Sequence, residues 1–324
     1  MVNSKDLTIG KGGVVRTKTK TATVVPKPVT KVASQITNVA KSDRFNFFIK
    51  KFEERDPYYG RIITIGEGNT GKSTACIQTL PTPILLLMFD PNTEQLIPKK
   101  MIEQGLIMPI RYYGDAPDKP TGYADFKKNI FEWEADGFIK LFGSMVIDSL
   151  TGLSIAHLRD IAYKDMRTKK KVPRKNMMPQ LNDYHNLKVN TIVDFLAISA
   201  FPCHVILTAH ILAEREFRDD DDLIGFIRRT LNATPALQAN VTQMFTDVYR
   251  SVYVPGKKAI SKKVKAMPER WEWQTKTETG AYKDLPLGSK LSGPKGLLDE
   301  REVQDFRQIF KKAGFHYEDK DPLV

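Results

Sequence analysis

The sequence lacks the features of exported, disulfide-bonded and membrane-spanning proteins. No run approaches about 18 apolar residues, and the N-terminus has no apolar core of the kind that signal peptides carry. Cysteine is scarce, and both examples, Cys76 and Cys203, stand inside apolar stretches. This usage indicates core thiols of a reducing compartment rather than a disulfide or a metal site. We therefore expect a soluble, cytoplasmic protein.

The sequence also has fewer acidic than basic residues. The 324 residues carry 38 Asp and Glu against 50 Lys and Arg, which gives a net charge of +12. A chain this basic favours polyanionic partners. Because no amphipathic basic helix stands out, nucleic acid is a better candidate than an anionic membrane. The hydrophobic content of 41% suffices for one large α/β domain with extensions, and we find no internal repeat.

Composition divides the chain into three regions. Residues 1–44 contain nine Lys and Arg against two Asp without a sustained period, and we predict a disordered basic arm. Residues 45–285 are richer in aromatic and apolar side chains and are assigned to the folded core. Residues 286–324 form a charged C-terminal tail, in which EREVQDFRQIFKKAG has the spacing of one amphipathic helix.

Short apolar runs alternate with helical patterns in the core. The runs IITIG, PILLLMFD, LIMPIRYY, GSMVID and CHVILTAH are typical of buried strands, and helical patterns separate them near 123–135, 151–164 and 183–200. This alternation predicts an α/β fold with a mostly parallel sheet flanked by helices. After about residue 245 the shorter runs FTDVYRSVYV and ERWEWQTKT predict C-terminal antiparallel strands that extend the sheet.

The stretch GEGNTGKST matches the phosphate-loop pattern G-x-x-x-x-G-K-[ST]. Its glycines let backbone N–H groups wrap around an anion, and the following helix adds its partial positive charge. In this pattern Lys72 reaches the β- and γ-phosphates of ATP, while the Ser73 hydroxyl binds Mg²⁺. The alternative is a Gly-rich turn capped by Asn69 or Thr70. The predicted nucleotide-binding residues are Gly66, Glu67, Gly68, Asn69, Thr70, Gly71, Lys72, Ser73 and Thr74.

A second strand end carries the carboxylate that such a site needs. Asp148 ends the apolar run GSMVID, and we predict that it holds Mg²⁺ through water. The alternative is that Asp148 only caps the helix that starts near Thr151.

Hydrolysis also requires a group that activates or positions water. Asp90 and Glu94 follow the strand PILLLMFD, near the carboxyl edge where a doubly wound sheet keeps its site, and either is a candidate base. His210 follows the strand CHVILT, where it would sense the γ-phosphate. The alternatives are solvated loop carboxylates and a structural histidine.

The segments GEGNTGKST, MVIDSL and HVILTAH occur in the order and at the separations of the RecA-type ATPase core, which the chain resembles from about residue 58 to 280. PQLNDYHNLKVNTIVDFL and ATPALQANVTQMFTDVYR resemble phage-encoded RecA-like ATPases of recombination and single-strand annealing. The resemblance implies ATP binding at a subunit interface, self-assembly into rings or filaments, and DNA, above all single-stranded DNA, as the partner. For a phage protein the location would be the host cytoplasm, and a phage single-strand-binding protein is a further candidate partner.

Two positions depart from the family pattern. RecA proteins carry a glutamate two residues beyond the strand-end Asp, where this chain has Asn92. The segment after His210 contacts DNA in RecA proteins, but here it contains the acidic run Asp219–Asp222. The identity of the catalytic base and the route of DNA are therefore open at this point.

The strongest basic cluster inside the core is KDMRTKKKVPRK, at the place of the first DNA-binding loop of RecA proteins. Its cations would neutralise phosphates without reading sequence. The alternatives are a solvated loop and DNA binding by the N-terminal arm. The predicted DNA-binding residues are Lys169, Lys170, Lys171, Arg174 and Lys175.

Two other functions remain open. One is a helicase or packaging motor on the same core, and the other is a non-catalytic, nucleotide-gated scaffold, which Asn92 supports. No arginine lies in or beside the phosphate loop to compensate the γ-phosphate, so we expect a neighbouring subunit to supply a cation. The candidates for this cation are Lys257, Lys258 and Lys276.

Overall fold

A computed structural model of the chain describes residues 58–114, 116, 119–168, 179–216, 226–233, 237, 240–256, 267–276, 288–289 and 298–324, together with residues 46, 47 and 50. The chain divides into two units, Met1–Arg55 and Asp56–Val324, and every element named below belongs to the second. Within the described ranges, no helix has both the length and the apolar character needed to cross a membrane.

The described residues form one sheet of ten strands with six α-helices. The strands are β1 (Arg61–Gly66), β2 (Ile84–Met88), β3 (Ile107–Arg111), β4 (Ser144–Asp148), β5 (His204–Glu216), β6 (Phe226–Leu231), β7 (Asp247–Val254), β8 (Arg270–Gln274), β9 (Gly288–Ser289) and β10 (Arg301–Val303). The helices are α1 (Lys72–Thr79), α2 (Lys99–Glu103), α3 (Gly122–Ala135), α4 (Leu150–Thr168), α5 (Leu181–Ile198) and α6 (Phe306–Ala313). Short 3-10 helices span Pro91–Leu96, Phe138–Leu141 and Val241–Met244.

The strand order is β10-β8-β7-β1-β5-β4-β2-β3, with β6 paired to β5 and β9 paired to β7. Strands β1 to β5 pair in parallel, as do β1 and β7. Strands β6, β8, β9 and β10 pair antiparallel with their neighbours. The predicted fold class, a mostly parallel sheet flanked by helices and extended by C-terminal antiparallel strands, is confirmed.

Apolar side chains cover both faces of the sheet, because the central strands are apolar at consecutive positions and alternate residues face opposite sides. On β1, Ile63 and Ile65 join one buried cluster, whereas Ile62 joins the other. The first cluster includes residues of α3, α4 and α5, and the second includes residues of α1 and α6. The sheet is therefore a middle layer that carries polar side chains mainly where its strands end.

The C-terminal residues pack on the second face. Phe306, Ile309 and Phe310 of α6 are buried in the second cluster, and the helix ends at Gly314, whose φ of 71° favours glycine. The chain then runs along the amino ends of the parallel strands. There Lys320 donates its backbone N–H to the Thr82 carbonyl (2.8 Å) and its Nζ to the carbonyls of Lys140 (2.8 Å) and Phe142 (2.6 Å).

Two buried histidines serve as neutral hydrogen-bonding groups in this fold. His204 accepts the Gly60 N–H at Nδ1 (2.9 Å) and stacks on Phe310, and its Nε2 lies 2.6 Å from the His316 carbonyl oxygen, to which it donates. His157 bonds the Thr191 hydroxyl through Nδ1 (2.9 Å). Burial lowers the pKa of each to about 3. Both rings therefore stay uncharged in the folded protein under conditions that protonate them in the unfolded chain.

These pKa values predict a steep acid dependence of stability. The folded pKa lies below the unfolded value, so the stabilisation is complete above about pH 6.5 and is lost as the pH falls toward 3. Between about pH 6 and 4.5, each histidine should lower the free energy of unfolding by about 1.4 kcal/mol per pH unit. When the free energy of unfolding is measured by urea denaturation across this range, its slope against pH should be shallower for His204→Gln than for the wild type. Equal slopes for the two proteins would contradict the assignment of His204.

Candidate functional site

The phosphate loop joins the end of β1 to the start of α1, as the sequence predicts. At Gly66 a Cβ atom would lie 2.8 Å from Thr70 Oγ1 and 3.1 Å from the Ser251 carbonyl oxygen, so only glycine fits there without a shift. Gly71 has a φ of 87°, a conformation that side chains rarely adopt, and directly precedes α1. No side chain among the described residues caps this helix, and the Thr70 hydroxyl instead donates to the Glu67 carbonyl (2.9 Å).

Lys72 points into the loop. Its side chain belongs to a residue that is only 5% exposed, and its Nζ donates to the carbonyls of Gly66 (3.0 Å) and Glu67 (2.7 Å). Burial lowers the pKa of Lys72 to about 8, against the opposing effect of the Asp148 carboxylate. The loop thus encloses an ammonium group whose present acceptors are weak, neutral carbonyls. An anionic oxygen would be a stronger acceptor for this group.

Asp148 lies buried at the end of β4, two strands away from β1 with β5 between them. Its Oδ2 accepts a hydrogen bond from Thr93 Oγ1 (2.7 Å), and its Oδ1 accepts one from the Thr208 hydroxyl. Two hydroxyl donors therefore orient the carboxylate. Thr93 was missed by the sequence analysis, because nothing in the 3-10 segment Pro91–Leu96 marks one residue as a partner of a strand 55 positions away.

Asp90 and His210 meet beside Asp148. His210 Nε2 lies 3.8 Å from Asp90 Oδ2, and the Asp90 carboxylate also accepts the Asn92 N–H (2.9 Å) at the start of the 3-10 helix. Burial lowers the pKa of His210, as does the charge of Lys72, whereas Asp148 and Asp90 oppose this effect. At pH 7 His210 is accordingly mostly neutral, so it can donate from one ring nitrogen and accept at the other.

Glu94 is held at the edge of the sheet. Its carboxylate accepts hydrogen bonds from Arg111, at the end of edge strand β3, and from Tyr113. These two bonds, that of Tyr113 foremost, lower the pKa of Glu94. Of the two carboxylates predicted as candidate bases, Asp90 is the one that lies against His210, while Glu94 is engaged by Arg111 and Tyr113.

The loop has a second set of supports on the side away from Asp148, which the sequence analysis missed. Ser251 of β7 donates its hydroxyl to the Thr70 carbonyl (2.5 Å), and Gln304 Nε2 lies within hydrogen-bonding distance of Ser251 Oγ (2.5 Å) and the Thr70 carbonyl oxygen (3.3 Å). Trp271 of β8 contacts Gly71: a Cβ on that glycine would be 3.1 Å from the indole Cδ1. No local pattern indicates these contacts, since they join positions far apart in the chain.

The residues suited to Mg²⁺ are few. In the described part of the chain, no group of three or more His, Cys, Asp or Glu side chains is arranged to hold a metal ion. The half-buried Ser73 and the oriented carboxylate of Asp148 nevertheless fit the limited protein contribution that Mg²⁺ requires when phosphates and water complete its shell.

Several predicted residues lie outside the described residues. They are the DNA-binding candidates Lys169, Lys170, Lys171, Arg174 and Lys175, the acidic run Asp219–Asp222, and the lysines Lys257 and Lys258. Lys276 is among the described residues and lies two positions after Gln274, the last residue of β8.

Comparison with solved structures shows distant similarities. No protein-family model and no curated protein matches the chain. The chain is similar to flagellar accessory protein FlaH from Methanocaldococcus jannaschii, with 14% identity, a TM-score of 0.35, and coverage of 76% of this chain and 84% of that chain. It is also similar to a prototypical ATPase from the type III secretion system of pathogenic bacteria, with 15% identity, a TM-score of 0.36, and coverage of 59% and 52% respectively. The strand order and the strand pairing, and not these similarities, define the fold.

The two glycines at the start of the loop provide a matched pair for testing its geometry. Gly66→Ala should lower the free energy of unfolding by about 1–3 kcal/mol, because the added methyl group meets Thr70 and the backbone of Ser251. Gly68→Ala should change it by less than about 0.5 kcal/mol, because a Cβ there meets nothing within 4 Å. Thermal or urea unfolding without nucleotide measures both, and equal losses would contradict this loop conformation.

Proposed function

We propose that the protein is a DNA-dependent ATPase of the RecA-like type, with ATP and Mg²⁺ bound at the carboxyl edge of the parallel sheet. One observation carries this proposal: a buried ammonium, that of Lys72, lies inside a glycine-dependent loop and within electrostatic reach of the oriented carboxylate of Asp148. A buried cation at the start of α1 and a buried anion at the end of β4 suit a ligand that brings both phosphate and a divalent metal.

Each residue has a role that its position supports. Lys72 would exchange its carbonyl acceptors for β- and γ-phosphate oxygens, and the first N–H groups of α1 would bind the same phosphates. Ser73 would bind Mg²⁺ directly and Asp148 would hold it through water. When bound, the metal ion supplies neutralisation of the charge that develops on the leaving phosphates. Thr93 and Thr208 would keep the Asp148 carboxylate oriented toward this metal.

We assign the positioning of the attacking water to Asp90 and His210. These side chains lie next to each other and beside Asp148, and His210 is mostly neutral at pH 7, which allows it to accept a proton or a hydrogen bond from water. Glu94 remains the second candidate base. It would have to release Arg111 and Tyr113 before it could approach the water.

We further propose that single-stranded DNA is the macromolecular partner and that the activity belongs to phage recombination or replication. The net charge of +12 and the basic cluster from Lys169 to Lys175 support this step. Self-assembly into a ring or filament would bring a cation from a neighbouring chain to the γ-phosphate, with Lys257, Lys258 and Lys276 as candidates. A phage single-strand-binding protein would be a natural further partner.

Two alternatives share the same site. A helicase or packaging motor would couple ATP turnover to movement along DNA, whereas a nucleotide-gated scaffold would bind ATP without turning it over. Of these two alternatives, the scaffold is favoured by Asn92, which stands where RecA proteins carry a glutamate. DNA-stimulated ATP turnover by the purified protein separates the scaffold from both enzymes.

Replacement of the two buried charges should separate binding from turnover. Lys72→Ala should lower phosphate release from ATP by roughly 10²- to 10³-fold and weaken ATP binding, since it removes a preorganised cation from the phosphates. Asp148→Asn should lower turnover similarly but retain more of the binding. Lys99→Ala, which changes an exposed lysine of α2, is the matched control and should behave as wild type. Equal turnover in all four proteins would contradict the assignment of the phosphate site.

The basic cluster makes a separate prediction about DNA. Replacing Lys169, Lys170 and Lys171 with Ala should weaken binding of a single-stranded oligonucleotide and lower the slope of log K against log salt by roughly two units. Binding of ATP without DNA should be unchanged. The control replaces three lysines on described surfaces, Lys99, Lys100 and Lys128, with the same loss of charge. If both triple variants lose the same slope, the cluster is not the DNA site.

A further inference from the structure

A cavity of about 590 Å³ lies beside the phosphate loop, on the side of β1 away from Asp148. Its lining comes from the loop (residues 67–70), from the end of β7 (residues 250–253) and from Trp271 of β8. This size is within the range of small-molecule pockets, and the pocket shares its wall with the loop that we assign to phosphate. The phosphate assignment leaves the rest of this cavity unexplained.

Two aromatic rings are part of the lining of the cavity. Tyr253 and Trp271 are direct cross-strand partners in the β7–β8 pair, with ring centroids 5.3 Å apart and planes inclined by 47°. Each residue is 41% exposed, whereas Trp273, two positions along β8, is fully buried. The Tyr253 hydroxyl donates to Glu269 (2.8 Å), and the residue also lines the cavity. Large exposed rings at a strand end are suited to stacking a flat ligand.

The strand order gives the direction in which a nucleotide would lie. Asp148, Asp90 and His210 gather on the β5 and β4 side of β1, and this is the side where the γ-phosphate and the metal belong. Strands β7 and β8 lie on the opposite side of β1. A nucleoside triphosphate with its γ-phosphate beside Asp148 therefore directs its ribose and base toward β7 and β8, where the two rings are exposed.

We propose that Trp271, with Tyr253 beside it, forms a stacking platform for the base of the bound nucleotide. This inference rests on the proposed nucleotide site. Because the tyrosine hydroxyl is already bonded to Glu269, Tyr253 would contact the base through its ring and not through this hydroxyl.

The contact between Trp271 and Gly71 couples the base platform to the phosphate loop. The indole edge lies beside Gly71, the residue that directly precedes α1, and Gln304 of the C-terminal segment lies beside the same glycine. A base that stacks on Trp271 therefore packs close to the loop that holds its phosphates. Both ends of the ligand are then held by the same short stretch of structure.

The test compares ATP with inorganic tripolyphosphate, both with Mg²⁺, by calorimetry. Trp271→Ala should weaken ATP binding by roughly 5- to 100-fold, the range expected for one lost stacking partner. Its affinity for tripolyphosphate should stay within about twofold of wild type, because that ligand has no base. Trp271→Phe, which keeps a ring, should retain most of the ATP affinity. Val303→Ala, the control, shortens an exposed apolar side chain on the neighbouring strand β10 and should change the affinity for neither ligand.

Each outcome has a distinct meaning. If wild-type protein binds neither ligand, the phosphate site itself is wrong, and the platform with it. If wild type binds both ligands and Trp271→Ala weakens both equally, Trp271 only supports the loop. If Trp271→Ala changes the affinity for neither ligand, the base stacks elsewhere. The same holds if a single-stranded oligonucleotide, and not ATP, quenches the fluorescence of Trp271, which is the signal that Trp271→Phe removes. Each of these results would overturn the proposal, and a selective loss of ATP affinity would support it.

Discussion

The ammonium group of Lys72 lies where water is largely excluded, and a buried charge of this kind requires polar partners. The Gly66 and Glu67 carbonyls provide them, and they can do so only because the backbone turns tightly between β1 and α1. That turn requires glycine at position 66, where Thr70 and Ser251 leave no room for a methyl group. The cation, the loop and the adjoining strand β7 thus depend on one another.

Support for the loop comes from two sides of the sheet. On one side, Asp148 raises the pKa of Lys72 against the effect of burial, and the hydroxyls of Thr93 and Thr208 hold that carboxylate in place. On the other side, Ser251 and Gln304 hold the Thr70 carbonyl. Since Gln304 lies between β10 and α6, the C-terminal segment contributes to the loop as well as to the second apolar cluster. A change in that segment therefore has a direct structural path to the phosphate loop.

The elements that follow from local pattern were predictable from the sequence, and the contacts between distant elements were not. The apolar runs of β1 to β5, the glycine spacing of the loop and the position of Asp148 at a strand end are all local features. The pairing of Glu94 with Arg111 and Tyr113 depends on which strand lies beside β2, which sequence periodicity does not reveal. In the sequence, Trp271 is indistinguishable from other strand residues. Only the β7–β8 pairing shows that it lies beside Gly71.

A crystal structure with Mg²⁺ and a non-hydrolysable ATP analogue would test the role of Lys72 most directly. In that structure we expect Lys72 Nζ to leave the Gly66 and Glu67 carbonyls for β- and γ-phosphate oxygens. We also expect Ser73 Oγ to be a ligand of the metal and Asp148 to contact the metal through water. A nucleotide bound elsewhere, with Lys72 still donating to the two loop carbonyls, would contradict the claim that this buried ammonium is a phosphate-binding group.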